Sequence, residues 1–318
     1  MPCDQPRERD ESPEKKEKCG LFGIWGAKDA AFIAYHALFA QQHRGQESAG
    51  IATSSGSELH GHVGMGLVSQ VFTPRMLREE LVGHAAVGHV RYSTTGSSRL
   101  CNAQPLMREY LMGPVAVAHN GNLVNASLLR AEYERHGHIF QSTTDTEIIV
   151  HLLAKPSHMD KADPLPHVLK HLQGAYSLLF LFPDRIEAAR DPWGVRPLVL
   201  GRTHHGHWCV ASETCAFDAI GAGYEREVEP GEGKRVERQV ERVVAIDARH
   251  PVEPGGADIP GTVGSGHPRT PVDRGIDGRA GEGRHQRLVD QAVACQARRH
   301  GRGDVLFKAN FQMFRLAL

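Results

Sequence analysis

Apolar runs of strand length and apolar stripes at helical spacing alternate along the chain up to about residue 231, and then the alternation stops. The first run, Leu21-Phe22-Gly23-Ile24-Trp25-Gly26, opens abruptly behind a polar stretch. Residues 29–45 place Ile33, Ala34, Ala37, Leu38 and Ala40 along one helical stripe that Gly45 ends. Residues 48–54 and 59–63 read as the strands of a hairpin around Ser55-Gly56. A short helix is predicted over 74–81, with Pro74 near its start. Residues 85–90 and 115–119 read as buried strands. Helices are predicted over 125–136, capped by Asn125, and over 145–154, capped from Thr143 or Thr144. A further helix over 166–172 precedes an apolar β-type run over 175–182. Shorter runs at 185–189, 197–200 and 208–211 complete a strand-rich stretch. Strands come in groups, and the helices do not alternate with them one for one. That order predicts sheets packed face to face with helices outside, not a doubly wound parallel sheet.

From about Glu232 the character changes. Residues 233–318 are rich in Gly, Arg, Pro and His, with short apolar stretches only near 243–246 and 305–318. Such a composition is not expected to bury a core of its own. At the other end, eleven of the first 18 residues are charged, six acidic and five basic, with no apolar segment of the kind a secretory signal needs. The expected organisation is therefore a charged leader over 1–18, one compact domain over 19–232, and a disordered or out-of-frame tail over 233–318.

Charge and cysteine usage narrow the function. Lys plus Arg equals Asp plus Glu at 37 each, which argues against a nucleic-acid or membrane-surface binder. No apolar run approaches the ~20 residues that span a bilayer, and a cytoplasmic protein is expected. The six cysteines include no CxxC pair, so free thiols are expected and no metal or cofactor is. Cys101, Cys209 and Cys215 are read as inert, and His204-His205-Gly206-His207 as a solvated hairpin tip.

Cys19 stands at the junction of leader and domain. Cleavage after Lys18 would make it the first residue, uniting a thiol nucleophile with a free α-amino group as its base. These groups titrate near ~8.5 and ~7.7–8.0, so proton exchange between them is close to thermoneutral. With the leader attached, the nitrogen is an amide with no basicity.

Four polar motifs carry what amide hydrolysis needs. They are 42–50 (QHRGQESAG), 88–96 (GHVRYSTTG), 118–123 (AHNGNL) and 142–147 (STTDTE). The Asn120 side-chain amide and the Gly121 N–H suit a tetrahedral oxyanion. Arg91 suits an α-carboxylate through two parallel hydrogen bonds. Asp145 suits an α-ammonium. Together they describe a pocket for a free amino acid with a carboxamide side chain. Singly, each residue has a plainer reading: Cys19 a core thiol, Arg91 a surface ion pair, Asp145 a helix cap, Asn120-Gly121 a type I′ turn.

Cys19-Gly20 behind a short leader, followed by these motifs in this order, resembles the class II glutamine amidotransferases, which are N-terminal-nucleophile hydrolases. Within that family the 42–47 (QHRGQE), 89–94 (HVRYST), 211–218 (ASETCAFD) and 227–232 (EVEPGE) stretches are most similar to the amidophosphoribosyltransferase branch. The resemblance covers about residues 18–232. It implies an α+β fold, a four-layer αββα sandwich. It implies Cys19 as nucleophile, Asn120 and Gly121 as oxyanion hole, Arg91 and Asp145 on the glutamine backbone groups, Thr94 near the carboxylate, and Arg44 supporting the N-terminal loop. Glutamine is the implied substrate, ammonia for purine synthesis the implied product, and homo-oligomers the implied state of members that have both domains. A phosphoribosyltransferase domain is the expected continuation, and residues 233–318 do not read as one. Glutaminase of another amidotransferase, or an inactive unprocessed relic, are the competing readings.

Overall fold

The computed structural model describes residues 19–92, 98–237 and 240–245, with only the backbone described for 234–237 and 240–245. Among these, two antiparallel sheets form the centre. The strands in chain order are β1 (Gly20–Trp25), β2 (Ser48–Ser54), β3 (Leu59–Met65), β4 (Ala85–Arg91), β5 (Leu106–Tyr110), β6 (Gly113–Leu123), β7 (Gly174–Leu181), β8 (Ile186–Arg190), β9 (Val199–Thr203), β10 (Trp208–Ala211), β11 (Ala222–Glu227), β12 (Glu232–Glu237) and β13 (Val240–Ala245). One sheet has the order β11-β9-β10-β1-β4-β2-β3, and the other β13-β12-β8-β7-β6-β5. The helices are α1 (Ala30–Ala40), α2 (Val68–Val71), α3 (Ala126–Arg135), α4 (Thr146–Leu153), α5 (Pro156–Met159), α6 (Leu165–Leu169) and α7 (Cys215–Ile220).

The side-chain period of two sorts the apolar residues into three packed levels. In β1, Phe22 and Ile24 pack with Ala30, Ala34 and Leu38 of α1 and Phe217 of α7. Leu21 and Trp25, on its other face, pack between the sheets against Ala116, Ala118, Leu179 and Leu181. In β6 and β7, Val115, Val117, Leu178 and Phe180 turn outward onto Ile148, Ile149 and Leu152 of α4 and Val168 of α6. Strands buried on both faces read as unbroken apolar runs, which is why 175–182 shows no alternation. The result is the expected αββα sandwich. Among the described residues no helix is long and apolar enough to cross a membrane.

Several local expectations need correction. Asn125 does not cap α3 with its side chain. Its amide instead donates to the His171 carbonyl at 2.8 Å and accepts the Gln173 N–H at 3.1 Å, pinning a distant loop. The helix expected over 29–45 stops at Ala40 and continues as a tight turn over 42–44. The second sheet also runs past the boundary expected at 232: β12 pairs with β8, from Gly233 opposite Ala189 to Val236 opposite Ile186, and β13 pairs with β12. Val240, Val243 and Val244 are the apolar signal of that hairpin, diluted by arginines.

Candidate active site

Cys19 lies one residue ahead of β1, which is hydrogen-bonded on one side to β4 and on the other to β10. Gly20 pairs with Val90, so Cys19 arrives beside the end of β4, where Arg91 and Tyr92 lie. The Cys19 Sγ is 3.7 Å from the Tyr92 carbonyl oxygen. Its own carbonyl accepts the Arg44 Nε–H at 2.8 Å, and Arg44 is ion-paired to Glu213. The next residue is held as firmly. The Leu21 N–H donates to Ser212 Oγ at 3.0 Å, while the Leu21 carbonyl accepts the Ser212 N–H and the Gln41 side-chain amide, both at 3.0 Å.

Burial pushes the Cys19 thiol above its ordinary pKa; the Arg91 and Arg44 guanidinium groups oppose that rise, and the Asp145 carboxylate adds to it. Arg91, Arg44 and Asp145, named from the sequence, are thus near enough to act on the sulfur.

Asn120 and Gly121 are not a turn. They sit inside β6, opposite Ser177 and Tyr176 of β7. Asn120 is 1% exposed, yet its Nδ2 has no hydrogen-bond partner among the described residues. An unpaired buried donor costs about 1–3 kcal/mol, and this one is available to a bound molecule. Gly121 has φ +146°, and a Cβ there would overlap the Ala175 carbonyl. Only glycine fits that backbone.

Asp145 precedes α4. Its Oδ2 accepts the Leu123 N–H at 2.9 Å, and its Oδ1 lies 3.5 Å from His119 Nδ1 and 3.3 Å from the Thr144 hydroxyl. Burial works to raise its pKa, but His119, the Leu123 N–H and Thr144 outweigh it and hold the carboxyl below its ordinary value. It is an anion at neutral pH.

Arg91 is buried and ion-paired with Glu47. Both readings of that guanidinium, a clamp for a substrate carboxylate and an ion pair, bear on it, and the ion pair is buried, not at the surface. The pairing of Ser48 with Arg91, and the Glu47 N–H donated to the Arg91 carbonyl at 3.1 Å, place Glu47 alongside. Thr94 falls outside the described residues.

Sequence reasoning missed a buried polar network under the site. His89 is held neutral, since burial takes its pKa down to about 3, so its Nε2–H donates to the His119 carbonyl at 3.0 Å. The His119 N–H donates to Gln104 Oε1 at 2.7 Å, and the Gln104 amide donates to Thr146 Oγ1 at 3.0 Å. Thr146 Oγ1 also lies 3.2 Å from His119 Nδ1. Half of the signal was present: His89 and His119 interrupt the apolar runs of β4 and β6, whereas Gln104 lies in a loop and Thr146 opens α4.

Similarity to known proteins agrees with this geometry. A family model described as "Glutamine amidotransferase domain" matches residues 89–219. This part of the chain is a class II glutamine amidotransferase domain. Amidophosphoribosyltransferase 2, chloroplastic, of Arabidopsis thaliana is 51% identical over 228 residues, which is 70% of this chain and 39% of that protein. Amidophosphoribosyltransferase of Bacillus subtilis (strain 168) is 46% identical over 217 residues, 68% of this chain and 45% of that one. Among solved structures, one described as the allosteric regulatory enzyme of purine biosynthesis superposes with a TM-score of 0.69 at 43% identity, covering 72% of this chain and 49% of its own. The glutamine phosphoribosylpyrophosphate amidotransferase from B. subtilis, complexed with ADP and GMP, gives 0.67 at 43%, with the same coverage. The chain spans less than half the length of these relatives. The domain is thus amidophosphoribosyltransferase-like, with the two-sheet sandwich of that family.

Proposed function

We propose that the domain hydrolyses glutamine to glutamate and ammonia, as the ammonia-supplying half of an amidophosphoribosyltransferase in purine synthesis. In this reading residues 1–18 are removed and Cys19 becomes the first residue. Its α-amino group takes the thiol proton, and the sulfur attacks the side-chain carbonyl of glutamine. The oxyanion is met by Asn120 Nδ2 and the Gly121 N–H. Collapse expels ammonia, which leaves with the proton, and water then hydrolyses the thioester to glutamate. The ionised Asp145 receives the substrate's α-ammonium, and Arg91, shared with Glu47, faces its α-carboxylate. Arg44 fixes the nucleophile by its backbone carbonyl.

The observation that carries this reading is the buried, unpartnered Asn120 Nδ2. Intact mass and glutamine turnover, measured together on the purified chain, test it. The expected result is a mass that starts at Cys19, glutamate and ammonia released in equal amounts, and no release from Cys19→Ala. Turnover by a chain that keeps residues 1–18, or by Cys19→Ala, would overturn it.

A further inference from the structure

Beside Arg44, which holds the Cys19 carbonyl, three donors of different chemistry converge. His43 Nε2 lies 2.8 Å from Glu213 Oε2, and Cys215 Sγ lies 3.7 Å from the same oxygen. One ligand atom from each residue falls within 4.8 Å of the other two. Imidazole, carboxylate and thiol together are the ligand set of zinc-type centres. His43 comes from the turn over 42–44, while Glu213 and Cys215 flank the entry to α7. A separation of 170 residues between His43 and Glu213 hides the trio from any search by motif spacing.

We propose that His43, Glu213 and Cys215 form a binding site for a soft divalent cation of the zinc class, with water in the fourth position. Metal–ligand lengths of ~2.0–2.3 Å in a tetrahedral centre space the ligand atoms roughly 3.3–3.6 Å apart. The Cys215–Glu213 spacing, 3.7 Å, lies just above that range. The His43–Glu213 spacing has to open by about half an ångström, and the His43 side chain, 53% exposed, is free to swing.

The carboxylate is already divided for the task. Arg44 takes Oε1, so Oε2 is the oxygen that faces His43 and Cys215. Arg44 would therefore stay in place as the outer partner that orients the ligating carboxylate. The balance is simple. The Cys215 thiol releases its proton to solvent as the sulfur–metal bond forms, and the His43 proton moves from Nε2 to Nδ1 so that Nε2 donates its lone pair. Thiolate and carboxylate then neutralise the dication.

Such an ion would tie together the two turns that hold the nucleophile's strand: Arg44 grips the Cys19 carbonyl, and Ser212 grips Leu21. Cys215, inert by its sequence context alone, becomes a ligand by its neighbours.

Cobalt(II) titration of the chelator-stripped full chain tests the site without reading turnover. The expected result is one equivalent bound with a sulfur-to-cobalt charge-transfer band, displaced by zinc. Cys215→Ser removes the band, His43→Ala weakens binding at least tenfold, and Cys19→Ala leaves both unchanged. Persistence of the band in Cys215→Ser, unchanged affinity in His43→Ala, loss of the band in Cys19→Ala, or absence of stoichiometric binding would each overturn the site.

Discussion

Asn120→Ala should separate catalysis from stability, and the burial of its unpaired Nδ2 sets the sign of each effect. The Nδ2 of Asn120 makes no hydrogen bond among the described residues, so truncation takes no such bond away there. It relieves instead the about 1–3 kcal/mol that a buried unpaired donor carries. The void left is roughly the ~30 Å³ share of one water, which at ~24 cal/mol per Å³ costs about 0.7 kcal/mol. The net expectation runs from neutral to a stabilisation of about 2 kcal/mol. Catalysis should move the other way, because loss of one oxyanion donor lowers kcat by ~10²–10³-fold. Urea unfolding of wild type and variant gives the first number, and steady-state glutamate release gives the second. A destabilisation beyond ~1 kcal/mol would show that the side chain is a structural strut. A fall in kcat of less than tenfold would show that the oxyanion is held elsewhere.

Gly121→Ala should destabilise the fold by about 2–5 kcal/mol, the sum of a non-glycine residue at positive φ and a Cβ driven into the Ala175 carbonyl; wild-type unfolding midpoints would remove that argument. His89 sets a pH dependence. Its folded pKa, lowered to about 3, lies under an unfolded value near ~6.5, so the unfolded chain binds the extra proton. The stability this contributes is complete above ~6.5 and is lost as pH falls towards 3, at about 1.4 kcal/mol per pH unit. His89→Gln should flatten that slope in urea unfolding measured from pH 6.5 to 4, and an unchanged slope would assign it to other groups. Glu147→Gln should destabilise by about 1–3 kcal/mol, since its carboxylate accepts the Gln141 N–H, the Ser142 N–H and the Ser142 hydroxyl and pairs with Arg108. Stability within 0.5 kcal/mol of wild type, roughly the range of ordinary surface changes, would count against that network.

Period and punctuation made much of the architecture legible. The hairpin of β2 and β3, the buried cores of β4, β6 and β7, and α4 all lie where apolar spacing places them, because both faces or a stripe of each element must be covered. Local rules failed where a distant partner competes. Asn120-Gly121 is a strong turn dipeptide in isolation, but β7 pairs with it across the sheet and a glycine there is required by crowding instead. Asn125 has the chemistry of a cap and spends it on His171 and Gln173. Arg91 was recognised as a site residue but not its Glu47 partner, because strand register decides which carboxylate arrives there. β12 and β13 were lost in an arginine-rich background whose only cue was a few valines. Residue types that react were easier to find than the histidine, glutamine and threonine that hold them, since buried polar groups gain meaning only from who surrounds them.

The place of β1 between β4 and β10 has a consequence for biosynthesis. Two of the three hydrogen bonds that seat Leu21 come from Ser212, 191 positions later. A nascent chain leaves the ribosome N-terminus first at ~5–20 residues per second, so Cys19 travels for roughly 10–40 seconds before the second neighbour of β1 exists. The newborn polypeptide thus holds that sulfur in a half-built cradle until synthesis has passed Ser212.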